Sequence, residues 1–136
     1  MRYRSYTLER AVEITRASIE RLAGVRLYVL VDGRAMRSCT QYAVQVDGAN
    51  IVTVEGLSDA GTMNAVQRAF AKHHALQCGF CTAGILCSVA HFLREVPSPD
   101  EAQVRDMLSG HICRCTGYAS IVAAVLEAAT DIKKGS

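Results

Sequence analysis

Four of the six cysteines stand in two close pairs, and these pairs are the residues best suited to chemistry. The first pair lies in Cys78-Gly79-Phe80-Cys81 and the second in Cys113-Arg114-Cys115. Each segment lies in a short glycine-containing loop, which can present two sulfurs together with inward-pointing backbone N–H groups. Two such loops can close around one metal centre, because thiolates are soft metal ligands. The sequence therefore predicts a metal–sulfur site.

The number and spacing of the sulfurs narrow the chemistry of this site. Thiolates suit iron–sulfur clusters, zinc and copper(I). A binuclear cluster takes two protein sulfurs per iron, so two cysteine pairs meet its requirement. Zinc sites more often use two Cys-x-x-Cys pairs or include histidine, and one Cys-x-x-Cys pair alone can be redox-active. The spacing favours an iron–sulfur cluster and leaves structural zinc and a thiol–disulfide pair as alternatives.

Length and composition exclude several other classes of protein. The chain has 136 residues, enough for one domain or two very small ones, and 50% of them are hydrophobic. The 15 basic and 13 acidic residues give a net charge of +2, which is too balanced for a nucleic-acid interface. No apolar run approaches the roughly 20 residues that a membrane-spanning helix needs.

The first 24 residues are informative about the cellular location of the protein. They are rich in arginine and contain no apolar core of a secretory signal. A transit peptide is the rival interpretation, but Glu9, Glu13 and Glu20 count against it because such peptides avoid acidic residues. We therefore expect a reducing, cytoplasmic location, where cysteines serve as metal ligands or free thiols rather than disulfides.

The first part of the chain combines one helical pattern with a small β segment. Residues 7–22 have apolar side chains at helical spacing, and Gly24 is a C-cap candidate. Strand formers and turn signals then alternate. The predicted strands and turns are Leu27–Val31, Asp32-Gly33, Ala35–Val46, Asp47-Gly48 and Ile51–Val54.

From Thr62 onward the pattern predicts four helices. Ser98-Pro99-Asp100-Glu101 predicts the start of the third helix as a capping box with proline at the first helical position, and Leu108 and Gly110 mark its end. The predicted apolar faces are Met63, Val66, Ala69 and Phe70 on the first helix, Ile85, Leu86, Val89, Leu93 and Val96 on the second, and Ile121, Val122, Val125, Ala129 and Ile132 on the fourth.

These elements explain how the cysteines come together. The cysteine loops connect helix one to helix two and helix three to helix four, and in an antiparallel four-helix arrangement the two connections meet at one end. The predicted fold is mainly α with a small β segment. Its predicted parts are an N-terminal helical segment at 1–26, a β segment at 27–57 and a helical domain at 58–136.

The residues around the cysteines resemble a known family, the iron–sulfur subunit of the molybdenum hydroxylases, which include xanthine dehydrogenase, aldehyde oxidase and aerobic carbon monoxide dehydrogenase. The resemblance covers about residues 27–132 and implies a four-helix [2Fe-2S]-binding domain preceded by a partial β-grasp, plant-type ferredoxin-like remnant. The segments that carry it are Gln77–Gly84, Cys113–Tyr118, Val31–Ala35, Arg37–Cys39, Val54–Leu57 and Gln67–Phe70.

The resemblance implies a role in electron transfer. It identifies Cys78, Cys81, Cys113 and Cys115 as ligands of one [2Fe-2S] cluster and places Gln77 near the pterin of a molybdenum cofactor. That cofactor would belong to a large partner subunit, and FAD to a medium one. The chain would thus serve an oxidoreductase as a subunit, with no catalytic residues of its own and no membrane insertion.

The chain departs from the family in the ferredoxin-like half. A plant-type cluster needs Cys-x4-Cys-x2-Cys and a distant fourth cysteine. Cys39 matches the fourth, but the positions expected for the first three hold Ile19, Gly24 and Leu27. The sequence therefore predicts one cluster per chain. A frameshift, a wrong start and a natural loss remain open as explanations.

Two other functions remain as alternatives, namely a zinc-stabilised interaction module and a non-functional fragment of such a subunit. The two further cysteines are interpreted as thiols that do not bind the metal. We expect Cys39 to be a small buried thiol at a strand end. Cys87 falls opposite the apolar stripe of the second helix, which predicts a thiol that faces the surface or another subunit.

Three residues near the second cysteine pair are weighed separately. His111 is interpreted as a loop histidine rather than a ligand, because four cysteines already suffice. Arg114 either donates hydrogen bonds or positive charge near a cluster or pairs with an acidic group of a partner. Tyr118 is predicted to be a packing residue at the start of the fourth helix.

Overall fold

The computed structural model describes residues 28–58 and 61–135. The predicted helix over 7–22 lies outside these residues. The mainly helical content with a small sheet is confirmed. The strands are β1 Tyr28–Val31, β2 Arg34–Arg37 and β3 Ile51–Val52, and the helices are α1 Ala65–Lys72, α2 Thr82–Glu95, α3 Glu101–Leu108 and α4 Ala119–Lys134.

The sheet is built around an antiparallel hairpin. Tyr28 pairs with Arg37 and Val31 with Arg34, so a two-residue turn joins β1 to β2. Both turn residues have positive φ, 48° at Asp32 and 83° at Gly33, as in the tight turns whose twist matches that of the flanking strands. The strand order is β2-β1-β3. The predicted hairpin turn is thereby confirmed.

The predicted return strand is too long. After Arg37 the chain leaves the sheet and forms two 3₁₀ turns, at Ser38–Thr40 and Ala43–Val46. The second turn is closed locally, because the backbone N–H of Tyr42 donates to the side-chain oxygen of Gln45 at 2.9 Å. Such local bonds replace those of a strand ladder. In the same way, β3 ends at Val52, and a third 3₁₀ turn begins two residues later.

The start of α1 differs slightly from the predicted apolar face. Asn64 is the N-cap, and it exchanges hydrogen bonds with Gln67 in a capping box. Val66, Ala69 and Phe70 are buried as predicted. Met63 precedes the cap and is half exposed, so its place on the buried face was wrong.

The start of α3 lies two residues later than predicted. Asp100 is the N-cap and forms the capping box with Gln103, so Pro99 precedes the helix instead of opening it. A carboxylate at this position accepts the Gln103 N–H and also interacts favourably with the positive end of the helix dipole. The helix ends at Leu108 as predicted.

The core lies between the four helices, and α2 also packs against the sheet. The apolar positions predicted on α2 and α4 are mostly buried, whereas Ile132 near the end of α4 is partly exposed. Among the described residues, no helix has the length and apolar character needed to cross a membrane. The largest fully buried side chains are Phe70, Ile85, Ile121, Val89, Val104, Val125 and Cys87.

The structure corrects both predictions for the remaining cysteines. Cys87 is fully buried, because α2 is covered by the helices on one side and by β1 and β2 on the other. Burial raises the pKa of its thiol to about 12. Cys39 is exposed rather than buried, because it lies in the turn that leaves the edge strand β2.

Candidate metal centre

The two cysteine loops meet at one end of the helices, as predicted. The first loop joins α1 to α2, and the second joins α3 to α4. The sulfur of Cys115 lies 3.4 Å from the sulfur of Cys78. The thiols of Cys81 and Cys113 also lie close enough to interact. The four paired cysteines therefore form one group, which we call the thiol cluster.

A glycine turn shapes the first loop. Gly79 has a φ of 79°, a conformation that glycine adopts at no steric cost, and its carbonyl accepts the Thr82 N–H at 3.1 Å. The backbone N–H of Phe80, followed by the neighbouring Cys115 thiol, lowers the pKa of Cys78. Cys81 is the N-cap of α2, and burial is the main cause that raises its pKa to about 11.

The hydroxyl of Tyr118 holds the second loop. It accepts a hydrogen bond from the backbone N–H of Cys113 at 2.8 Å and donates one to the carbonyl of His111 at 2.9 Å. Tyr118 itself has a φ of 67°, which is uncommon for a residue other than glycine. The sequence predicted only packing for this residue. Its role in the loop was missed because it depends on a bond between backbone and side chain.

The thiol of Cys113 in the second loop ionises readily, which suits a metal ligand. Partial burial opposes the charged form of Cys113, but hydrogen bonds from the side chain and backbone of Thr116 and from the backbone of Cys115 prevail, and its pKa is lowered to about 7. The hydrogen bond with Cys78 is the main cause that raises the pKa of Cys115. Each contacting pair thus combines one thiol that ionises readily with one that does not.

The thiol cluster consists of two contacting pairs. Its contacting pairs, Cys78 with Cys115 and Cys81 with Cys113, each take one sulfur from each loop. A binuclear iron–sulfur cluster takes two protein sulfurs at each iron, whereas zinc requires one tetrahedral set. The crossed pairs can supply two sulfurs to each iron of the first arrangement.

The other predicted residues surround this group without joining it. Gln77 and Arg114 are exposed beside the cysteines. His111 is a loop histidine, as interpreted, but it is buried, and its ring centroid lies 4.4 Å from that of Tyr28. Burial, followed by the charge of Arg37, lowers the pKa of His111 to about 4.

Three exposed apolar side chains lie close in sequence to the clustered cysteines. Leu76, Phe80 and Ile112 are 42%, 59% and 74% exposed, and each lies within two residues of a clustered cysteine. Neighbouring exposed apolar side chains are typical of a surface that a partner covers. These three side chains are together called the apolar rim below.

Comparison with known proteins agrees with this geometry. A family model described as "[2Fe-2S] binding domain" matches residues 53–126. The nicotine 6-hydroxylase small subunit of Paenarthrobacter nicotinovorans is 55% identical over 104 residues, which cover 76% of this chain and 62% of the relative. The xanthine dehydrogenase iron-sulfur-binding subunit of Escherichia coli O157:H7 is 44% identical over 102 residues, covering 73% and 64%.

A solved structure supports the same relationship. Quinoline 2-oxidoreductase from Pseudomonas putida 86 matches with a TM-score of 0.74 and 48% identity, over 79% of this chain and 68% of that one. The chain spans less than two thirds of the length of the two curated relatives. None of these matches supports a zinc-stabilised module or a non-functional fragment. The chain belongs to the [2Fe-2S]-binding domain family and is a relative of the small iron–sulfur subunits of molybdenum hydroxylases.

Proposed function

We propose that this chain transfers single electrons within a molybdenum-cofactor hydroxylase through one [2Fe-2S] cluster. The observation that carries the proposal is the pairing of four thiols across two loops at one end of the helices. Cys78, Cys81, Cys113 and Cys115 would be its ligands. The cluster would supply a site that accepts and releases one electron, while substrate conversion would take place on a partner subunit.

The protein groups around the sulfurs would tune this site. The Phe80 N–H points at the Cys78 sulfur, and the Thr116 hydroxyl lies 3.1 Å from the Cys113 sulfur. Hydrogen bonds to cluster sulfurs stabilise the reduced, more negative state and so raise the reduction potential. Cys78 and Cys115 are exposed whereas Cys81 and Cys113 are partly buried, so the former pair would face the electron donor.

The donor would be a large subunit that carries the molybdenum cofactor. The apolar rim is exposed and lies in the two cysteine loops, so docking of that subunit would bury apolar area and exclude water from the cluster. Gln77, exposed in the same loop, would then lie near the pterin. A medium subunit with FAD is the further partner expected from the resemblance.

The number of clusters follows from the missing cysteines. Ile19, Gly24 and Leu27 stand where a ferredoxin-like cluster would need ligands, so each chain would hold a single cluster. Electrons that leave the first cluster would then have no second cluster as their acceptor. Either the complex is inactive towards the flavin, or a different acceptor docks directly. The cytoplasm is the proposed location, because reducing conditions keep the thiols free for iron.

The β segment would be a remnant of a plant-type ferredoxin-like, β-grasp domain, followed by the helical domain from residue 58. The three-stranded sheet and the family-like segments within it support this division. Limited proteolysis that cuts first between residues 58 and 61 would agree with two units. First cleavage inside α2 would contradict them.

The first experiment is metal analysis of the full chain purified without oxygen. We expect two irons and two acid-labile sulfides per chain, with the red-brown absorption of a [2Fe-2S] protein. Zinc in place of iron would contradict electron transfer and favour a structural role. Four irons with two distinct paramagnetic signals would contradict the single cluster but retain the family role.

A further inference from the structure

Two side chains of the sheet form hydrogen bonds to one carbonyl group of the second cysteine loop. The backbone oxygen of Gly110 accepts hydrogen bonds from the hydroxyl of Tyr28 at 3.1 Å and from Nη2 of Arg37 at 3.2 Å. Nε of Arg37 also donates to the Tyr28 hydroxyl at 2.7 Å. These three groups therefore form a closed triangle between the strands and the loop. A carbonyl with two donors, one of them charged, is held firmly in place.

Ring contacts connect the sheet to the next residue of the loop, His111. The rings of Tyr28 and His111 lie 4.4 Å apart at an interplanar angle of 36°, and the guanidinium carbon of Arg37 lies 5.6 Å from the centroid of the Tyr28 ring. Tyr28 is thus held between a cation and an aromatic neighbour, a favourable arrangement for its ring. The contact covers His111, which is almost fully buried.

The connection continues to a sulfur ligand. The carbonyl of His111 accepts a bond from the Tyr118 hydroxyl, and that hydroxyl accepts one from the N–H of Cys113. An unbroken series of contacts therefore runs from Arg37 on β2 to the backbone of Cys113. Groups outside the ligand set that orient ligands in this way typically change metal affinity 10–100-fold when they are mutated.

We propose that Tyr28 and Arg37 are positioning residues for the iron–sulfur cluster, and that Arg37 also places a permanent positive charge behind the second loop. The proposal rests on the proposed function. The guanidinium remains protonated at all ordinary pH values, so its charge favours the reduced, more negative cluster. The β segment would then support the cluster of the helical domain, although it binds no cluster itself.

Three variants of the full chain test this idea. Tyr28→Phe keeps the ring on His111 and removes the hydroxyl, whereas Arg37→Gln removes the charge. Arg34→Gln is the matched control, because Arg34 is exposed on the same strand. We expect the first two variants to lose iron to a chelator about tenfold faster than the wild type. Arg37→Gln should also lower the reduction potential, and Arg37→Lys should restore it in part.

A second readout needs no metal. In the metal-free chain, alkylation of individual cysteines is followed by mass spectrometry. Tyr28→Phe and Arg37→Gln should change the alkylation rate of Cys113 severalfold and change that of Cys78, in the other loop, less. A stability defect alone would not separate the two loops, provided that circular dichroism shows each variant to be folded.

The outcomes separate this inference from the function on which it rests. A wild-type chain with two irons, in which both variants behave like Arg34→Gln, overturns the inference and leaves the function intact. A wild-type chain that binds no iron overturns the proposed function and with it the role at a cluster, while the alkylation rates still decide whether the triangle orders the loop. If Arg37→Gln does not fold, Tyr28→Phe decides alone.

Discussion

At the scale of single residues, local contacts make four chemically equal cysteines unequal. The pKa of Cys113 falls to about 7, because hydrogen bonds from Thr116 prevail over partial burial, while burial raises that of Cys81 to about 11. A metal binds only the thiolate form. Cys113 therefore supplies a thiolate near neutral pH more readily than Cys81 does.

Removal of any one clustered thiol should abolish stable iron binding. We expect Cys78→Ser and Cys113→Ser each to purify with less than about a tenth of the wild-type iron, because a hard alkoxide replaces a soft thiolate ligand poorly. Cys39→Ser is the control, since Cys39 is exposed and outside the thiol cluster. Loss of iron in that control to the same extent would contradict the assigned ligand set.

His111 should make the metal-free chain sensitive to acid. Its pKa is about 4 in the folded protein and about 6.5 in an unfolded chain. Between these values the unfolded state binds the proton and the folded state does not, so the free energy of unfolding falls as the pH drops from about 6.5 towards 4.

The test is urea unfolding at pH 7.5 and at pH 5. His111→Phe retains an aromatic ring against Tyr28 but cannot be protonated, so its stability should fall less between the two pH values than that of the wild type. His91→Gln serves as a control for the loss of a histidine elsewhere. An equal loss of stability in His111→Phe and the wild type would contradict the assignment.

At the scale of elements, capping residues determine where two of the helices begin. α1 and α3 each begin with a complete capping box, formed by Asn64 with Gln67 and by Asp100 with Gln103. These caps satisfy N–H groups that have no partner inside the helix. They also set where each helix begins, and α3 leads directly into the second cysteine loop.

Loss of the α3 cap should reduce stability without affecting the ligands. We expect Asp100→Ala to lower the free energy of unfolding by about 1 kcal/mol and to leave the iron content unchanged. Asp106→Ala, an exposed acid in the last turn of the same helix, should cost less than about 0.5 kcal/mol. Equal effects of both substitutions in chemical unfolding would argue against the cap.

At the scale of the whole molecule, the helices bring two distant loops together and leave an apolar rim around them. Phe80 and Ile112 come from different loops, and these two loops are in contact through the thiols of Cys78 and Cys115. Such a rim is typical of a surface that excludes water once a partner has docked.

A charge on the rim should weaken assembly without removing iron. We expect Phe80→Glu to reduce binding of the large subunit at least tenfold while two irons per chain remain, because an unpaired carboxylate would be buried at the interface. Ile132→Glu is the control at a partly exposed apolar residue near the far end of α4. Wild-type affinity of Phe80→Glu in a binding titration would rule out the rim as the docking surface.

The family, the helical content, the hairpin turn and the meeting of the two cysteine loops were all predictable from the sequence, because they rest on local signals. Cysteine spacing, periodic apolar faces and Asp32-Gly33 each act over a few residues. The two wrong cysteine predictions have a different origin. Exposure of Cys39 and burial of Cys87 depend on which layers cover an edge strand and the second face of α2.

Only the tertiary structure decided how the thiols pair and what holds the second loop. Cys78 lies beside Cys115, 37 positions away, and Tyr28 reaches a carbonyl 82 positions away. No spacing rule relates such residues, because their contact depends on the mutual packing of complete helices and strands. The chemistry of the site is therefore encoded locally in the cysteine motifs, whereas its geometry and the supporting contacts of Tyr28, Arg37 and Tyr118 arise from the fold.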